Sequence, residues 1–303
     1  MRLLRLILPL WVLTTLPAEE LRLTSGNTAL IGERNGTQGY TLRLSNSALA
    51  PQQQFPLHAL GIIVNQSTLE GTYESLKIEG ADFIGTSTIQ SENGTHFIFQ
   101  DRYHPLAADA WQLDRTIQIT QPSPKDLYFN STLRLDSAFT QNLRQTEVFI
   151  PAVWYRPNFE TKMRGALAAH PEDQDFIFRE DRLPLPLVAI RHPQSGLMLS
   201  LLHLNATPTT FTGDTGINRV VDARLQFGSL GLSQKKTTEL CFQFPGSEGQ
   251  RNHVDKKQSA NWALRSHPVQ TNLTHHYQIV LQLSHTDSYA QAVAQTWTEA
   301  FKL

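Results

Sequence analysis

Apolar and polar residues alternate along stretch after stretch of this chain, and a period of two limits what it can become more than any other feature. Tyr40, Leu42 and Leu44 interleave with Thr41 and Arg43. Trp111, Leu113, Ile117 and Ile119 interleave with Gln112, Asp114, Thr116 and Gln118. Phe129, Leu133 and Leu135 alternate with Asn130, Thr132 and Arg134, and Val221, Ala223, Leu225 and Phe227 with Asp222, Arg224 and Gln226. Leu240, Phe242 and Phe244, then Tyr277, Ile279, Leu281 and Leu283, continue the series. Successive side chains of a strand point to opposite faces, so each run predicts a strand with one buried side. Gly, Pro, Asn and Ser clusters separate the runs, and no long amphipathic helix lies between them. This argues against parallel βαβ units and predicts an all-β fold, a large antiparallel β-super-sandwich. At 303 residues and 40% hydrophobic, the chain can bury a sizeable core.

The pattern changes at the end. Asp287 is placed to cap a helix from Ser288. Tyr289, Val293, Trp297 and Phe301 recur every four residues, which draws an aromatic stripe on a C-terminal amphipathic helix. Such a stripe needs a surface: the sandwich itself, or a further domain. The expected organisation is therefore a signal peptide over 1–18, the sandwich over 19–285 and the helix over 286–303.

The signal peptide rests on Arg2 and Arg5, a short apolar run from Leu6 to Leu13 and small Ala18 at a cleavage position. That run is too short to span a membrane comfortably, and no later segment reaches the length a spanning helix needs. The expectation is a secreted or extracytoplasmic protein with no membrane span once the signal is removed. Six Asn-x-Ser/Thr sites occur, at Asn35, Asn65, Asn93, Asn130, Asn205 and Asn272, where chance gives roughly two. The excess fits a glycoprotein, and equally an exported chain rich in Asn and Thr that carries no glycans. Asn130 falls on the polar phase of its run, as an attachment site should. A net charge of -1 offers no field for nucleic acid. The single cysteine, Cys241, can form no internal disulfide, and its apolar neighbours mark it as a buried thiol.

The standard catalytic signatures are absent: no nucleophile elbow, no His-Glu-x-x-His, no phosphate loop and no Cys-x-x-Cys. No motif requires a cofactor or a metal. His275 and His276 are neighbours on a strand, point to opposite faces and cannot share an ion. Glu172, Asp173 and Asp175 read as a solvated turn rather than a calcium loop.

Two segments remain. In Val148–Asn158, "VFIPAVWYRPN", an apolar strand meets Pro151 and then Trp154, Tyr155, Arg156 and Asn158. Aromatic faces beside Arg and Asn donors suit a sugar ring, and they equally suit a loop anchored in the core. In Phe178–Ile190, "FREDRLPLPLVAI", an extended backbone would put Arg179 with Asp181 on one side and Glu180 with Arg182 on the other. Each carboxylate then has a cation beside it, which keeps both ionised, and the two carboxylates diverge, unlike a glycosidase acid/base pair. Pro184 and Pro186 remove amide donors, so the segment reads as an edge strand with a charged entry.

These segments, with "YAQAVAQTWTEAFKL" at the end, carry a resemblance. The chain resembles the N-terminal β-super-sandwich of large secreted carbohydrate-active enzymes of the six-hairpin glycosidase type. In those enzymes a helix joins the sandwich to a catalytic (α/α)6 toroid. The resemblance implies that the general acid and base lie in the toroid, so that this chain by itself has no catalytic residue of its own. It also implies that Trp154, Tyr155, Arg156 and Asn158, with Arg179, Glu180, Asp181 and Arg182, lie at the substrate or domain seam. The partners it implies are a carbohydrate and an (α/α)6 catalytic domain, in cis or in trans. The alternative is a stand-alone carbohydrate-binding or cell-surface interaction module.

Overall fold

The computed structural model describes residues 20–48, 53–106, 109–139, 146–155, 175–207, 219–234, 236–247, 264–273 and 275–302. The expected signal peptide and the Glu172–Asp173 turn lie outside them. The chain begins with β1 (Glu20–Ser25), β2 (Thr28–Arg34), β3 (Tyr40–Asn46), β4 (Gln54–Val64), β5 (Ser67–Gly71) and β6 (Ser75–Glu79). Next come β7 (Asp82–Gln90), β8 (His96–Pro105), β9 (Ala110–Thr120), β10 (Tyr128–Asp136), β11 (Glu147–Ile150) and β12 (Trp154–Tyr155). Then follow β13 (Asp175–Arg179), β14 (Leu187–Arg191), β15 (Leu197–Leu204), β16 (Arg219–Val221) and β17 (Ser229–Gln234). The series closes with β18 (Thr238–Phe244), β19 (Leu264–Pro268), β20 (His275–His285) and the helix α1 (Tyr289–Ala300).

These strands form two sheets, antiparallel throughout except for the parallel β16–β19 pair. The larger runs β1-β2-β3-β4-β10-β18-β17-β13, with β5 on β4 and β19 on β10. The smaller runs β12-β11-β14-β15-β20-β9-β8-β7-β6. The fold is the all-β sandwich that the alternation predicts. Leu42, Leu44, Leu57, Leu133, Leu135, Leu240 and Phe242 from one sheet meet Phe97, Phe99, Trp111, Leu113, Leu199, Ile279 and Leu281 from the other in a single core. His275 is fully buried and His276 exposed, so the neighbours do diverge. Cys241 is a buried free thiol.

One predicted strand is largely missing. Of the 221–227 run only Val221 lies in a strand, at the end of β16, because Asp222 turns the chain. Its carboxylate accepts the Arg224 amide at 2.8 Å and grips the Arg224 guanidinium, closing a local turn that competes with a ladder.

The helix starts one residue later than expected, and its cap is Ser288 rather than Asp287. The Ser288 hydroxyl accepts from the Gln291 amide, while the Gln291 side chain accepts from the Asp287 amide at 2.7 Å. This reciprocal arrangement satisfies two backbone donors at once. The stripe packs on the outer face of the smaller sheet: Tyr289, Val293 and Trp297 cover Ala110, Phe149, Leu187, Ala189, Leu202 and Val280. Phe301 stays 68% exposed.

Charge also enters the core. Arg115 lies on the inner face of β9 and is fully buried. Its Nε donates to Asp101 at 2.8 Å, and its Nη1 donates to the Ala59 carbonyl at 2.8 Å and the Tyr277 hydroxyl at 3.0 Å. Tyr73 closes the other side of Asp101 and lies 2.8 Å from the Tyr103 hydroxyl. From Tyr277 the network continues through Ser131 to His275 Nε2 at 2.7 Å, and His275 Nδ1 lies 2.8 Å from His267 Nδ1. His267 Nε2 is 2.8 Å from the Leu225 carbonyl, which can only accept, so that nitrogen carries the proton. His267 Nδ1 is then the acceptor and His275 Nδ1 the donor, and both rings are neutral. Burial, opposed only in part by the Leu225 bond, lowers His267 to about 4, and burial holds His275 well below its ordinary value.

Candidate functional site

The sequence points first to the two segments around Trp154 and Arg179, and the structure brings them to one edge of the sandwich. Edge strand β12 of the smaller sheet lies over edge strand β13 of the larger. Trp154 meets Phe176 edge to face, with ring centroids 5.3 Å apart. Trp154 is fully buried, so its face is closed to a sugar ring and the expected substrate contact is corrected to a core anchor. Tyr155 is 48% exposed. Its ring packs on Phe149 and its hydroxyl accepts from the Ala152 amide at 2.9 Å. Arg156 and Asn158 lie outside the described residues.

The charged entry differs from the extended reading. β13 is the edge strand of the larger sheet, as expected, but it ends at Arg179. Glu180–Arg182 form one turn of 3-10 helix, and after Pro184 and Pro186 the chain enters β14 in the other sheet. The segment is a corner between sheets. Arg179 and Asp181 do share a side, in a two-pronged pair at 2.9 and 2.8 Å. Glu180 turns inward instead of pairing beside Arg182 on the surface, and is only 4% exposed. Its Oε2 accepts from the Gly228 amide and lies 2.7 Å from His203 Nδ1. His203 is itself enclosed by Phe242, Phe244 and Tyr277. This arrangement holds a corner in place.

The six sequons separate by environment. Asn35, Asn93, Asn205 and Asn272 are exposed and Asn65 half-buried. Asn65 is tied on both sides, its amide donating to the Lys125 carbonyl and its oxygen accepting from the Leu127 amide, each at 2.9 Å. Asn130 is 4% exposed, which corrects its assignment to a solvent face. Its nitrogen donates to the carbonyls of Pro245 and Arg265 at 2.9 and 2.7 Å, and its oxygen accepts from Ser266 at 2.8 Å. β19 covers this end of β10, and long-range pairing of that kind is invisible to local alternation.

The open site lies elsewhere, on the outer face of the larger sheet, where sequence reasoning saw only polar phases of strands. A groove of about 610 Å³ is lined by Tyr40, Arg43, His58, Glu70 and Thr72. A second hollow of about 250 Å³ is lined by Thr132, Arg134, Ile177, Cys241 and Gln243, and Glu70 borders both. Arg134 bridges Glu70 to Glu239, the latter at 3.4 Å. In register, Arg134 opposes His58 of β4, and Asp136 opposes Glu239 of β18. Arg43 pairs with Glu20 at 3.1 Å and Glu33 at 3.5 Å. The result is a trough lined by paired carboxylates and guanidinia. Such a surface suits a ligand dense in hydroxyls, which can both donate and accept. The signal that could have found it is the cluster of Asp, Glu, Arg and His on one strand phase of β4, β10 and β18.

No protein-family profile matches the chain, and no curated protein is similar to it. Solved structures similar to it include Slr1438 from Synechocystis sp. PCC 6803, at 9% identity and TM-score 0.43, covering 88% of this chain and 96% of that one. The GH36 alpha-galactosidase AgaB from Geobacillus stearothermophilus is similar at 7% identity and TM-score 0.47 over 88% of this chain, which spans 40% of AgaB. A galactose mutarotase related enzyme from Lactobacillus acidophilus is similar at 9% identity and TM-score 0.42, covering 89% and 99% of the two chains.

Proposed function

We propose that this chain is the non-catalytic sandwich of a secreted carbohydrate-active enzyme and that it holds a glycan on the outer face of its larger sheet. The observation that carries this is the groove of about 610 Å³ running past Arg43, His58 and Glu70 into the hollow beside Arg134. Its charged groups are already paired, so they are positioned before a ligand arrives, and pre-positioned donors and acceptors lower the cost of binding. The sequence resemblance adds the carbohydrate class. The test is titration of the purified chain with a panel of neutral and acidic oligosaccharides, by calorimetry. Binding weakened tenfold or more by Glu70→Gln or Arg134→Met supports the reading. No saturable binding to any oligosaccharide, or binding that both variants leave unchanged, overturns it.

A second reading concerns the other side of the molecule. Tyr155, Phe149, Trp297 and Phe301 form a row with centroid spacings of 5.5, 6.0 and 5.6 Å. Both ends of the row are exposed, Tyr155 at 48% and Phe301 at 68%. Aromatic residues left at a surface favour a protein interface. This row is the place where an (α/α)6 catalytic domain would pack, in cis or in trans. Sedimentation of the chain mixed with such a domain, with and without Tyr155→Ser and Phe301→Ser, tests it: an association that both changes leave untouched would rule the row out.

A further inference from the structure

Three side chains on the outer face of the larger sheet converge in a way that the glycan reading does not require. His58 of β4, Asp136 of β10 and Glu239 of β18 bring one ligating atom each within 4.8 Å of one another. Three neighbouring strands supply them, so the sheet ladder fixes the backbone beneath the cluster. Asp136 and Glu239 are a direct cross-strand pair on the same face. Like charges in that position repel and destabilise a sheet, unless something between them carries positive charge.

Arg134 divides its charge between two carboxylates: Glu70 engages its Nη2, and Glu239 lies 3.4 Å from its Nη1. Asp136 spends one oxygen on the Ala138 amide at 2.7 Å. His58 is exposed, and a ring nitrogen lies within 4.8 Å of a ligating oxygen of each carboxylate. One imidazole nitrogen and two carboxylate oxygens, brought together from three neighbouring strands, make a mixed nitrogen and oxygen ligand set.

We propose that His58, Asp136 and Glu239 bind one divalent transition-metal ion. The donor types select the class. An imidazole nitrogen with two carboxylate oxygens suits zinc or manganese, whereas calcium takes oxygen ligands alone. Three protein ligands leave at least one position open, the pattern of a site that also accepts water or a hydroxyl from outside. Zinc bonds of about 2.0–2.2 Å in a tetrahedral arrangement put neighbouring donors roughly 3.4 Å apart, so atoms now within 4.8 Å of one another need close in by at most about 1.4 Å. Side-chain rotation of exposed His58 and half-buried Asp136 supplies that movement without moving the sheet. Because His58 also lines the larger groove, the ion would sit at the edge of the trough and not beneath it.

The test reads the metal directly and needs no glycan. Purified full-length chain, freed of metal by a chelator, is titrated with zinc and separately with calcium, by calorimetry and by thermal melting. One equivalent of zinc should bind and raise the melting temperature. His58→Ala and Asp136→Asn should each weaken that binding at least tenfold. Asp136→Asn should also raise the melting temperature of the metal-free chain, because it removes the carboxylate repulsion, a change that loss of a merely structural residue would not produce. Zinc binding unchanged in both variants, calcium binding tighter than zinc, or no binding of either ion would overturn the proposal.

Discussion

Glu180 and His203 meet at 2.7 Å, both almost wholly buried, at the point where the chain leaves the larger sheet for the smaller. Glu180 also accepts from the Gly228 amide, so one carboxylate ties the corner to β15 and to the start of β17. Removing it strands a histidine and a backbone donor inside the protein. Glu180→Ala should therefore cost about 2–4 kcal/mol. The neighbouring surface pair is worth far less, and Asp181→Asn should cost under about 1 kcal/mol. Urea unfolding of the two variants checks the contrast, and equal losses would show that the corner is not held by Glu180.

The neutral pair His267 and His275 ties stability to pH. Burial lowers His267 to about 4 and His275 well below the ordinary 6.5, so the unfolded chain binds these protons more readily than the folded one. Their contribution is complete above about pH 6.5 and declines as pH falls towards 4, by up to about 1.4 kcal/mol per pH unit for each ring. The urea midpoint measured from pH 7.5 to 4.5 should fall steadily on the acid side. A His267→Asn variant should show a shallower fall, and a midpoint as steep as that of the parent would refute the assignment.

Asn130 has both polar atoms committed to Pro245, Arg265 and Ser266. No glycan fits there in the folded chain. Expressed in a glycosylating secretory host, the folded protein should yield glycopeptides only from other sequons, with exposed Asn272 foremost. Asn130→Gln should cost about 1–3 kcal/mol, whereas Asn272→Gln should be neutral within about 0.5 kcal/mol. Mass spectrometry finding a glycan on Asn130 of folded protein would contradict the burial described above.

Trp154 fills the space between the two sheet edges against Phe176. Trp154→Ala should destabilise by about 3–5 kcal/mol, the range for emptying a large aromatic site. Tyr155→Ser, at an exposed position, should cost no more than about 1 kcal/mol. Thermal melting separates the two, and a stable Trp154→Ala protein would return Trp154 to the list of ligand-facing residues.

The alternation gave away the strands whose two faces differ. β9, β10, β18 and β20 all stand where the pattern puts them. Its gaps were equally informative in principle. Arg115 falls on the apolar phase between Leu113 and Ile117, and Ser131 falls between Phe129 and Leu133; both belong to the buried network. A polar residue on the wrong phase is the mark of such a network, but it does not name the partner. Asp101 is 14 residues from Arg115 and Tyr277 is 162 away. The corner after β13 failed for a related reason. Period-two reasoning treats Glu180 and Arg182 as equivalent, and only the distant His203 and Gly228 make one of them an inside residue. The groove was missed because charged residues on a solvent phase look alike until the strand order brings β4, β10 and β18 side by side.

Arg115 and Asp101 face each other across β8 and β9, with Phe99 beneath the guanidinium. Sliding either strand by a single residue would carry one partner to the solvent face and abandon the other among phenylalanines. The pair thus works as an alignment key: of the many ways two long alternating strands can zip together, it leaves one with both charges neutralised.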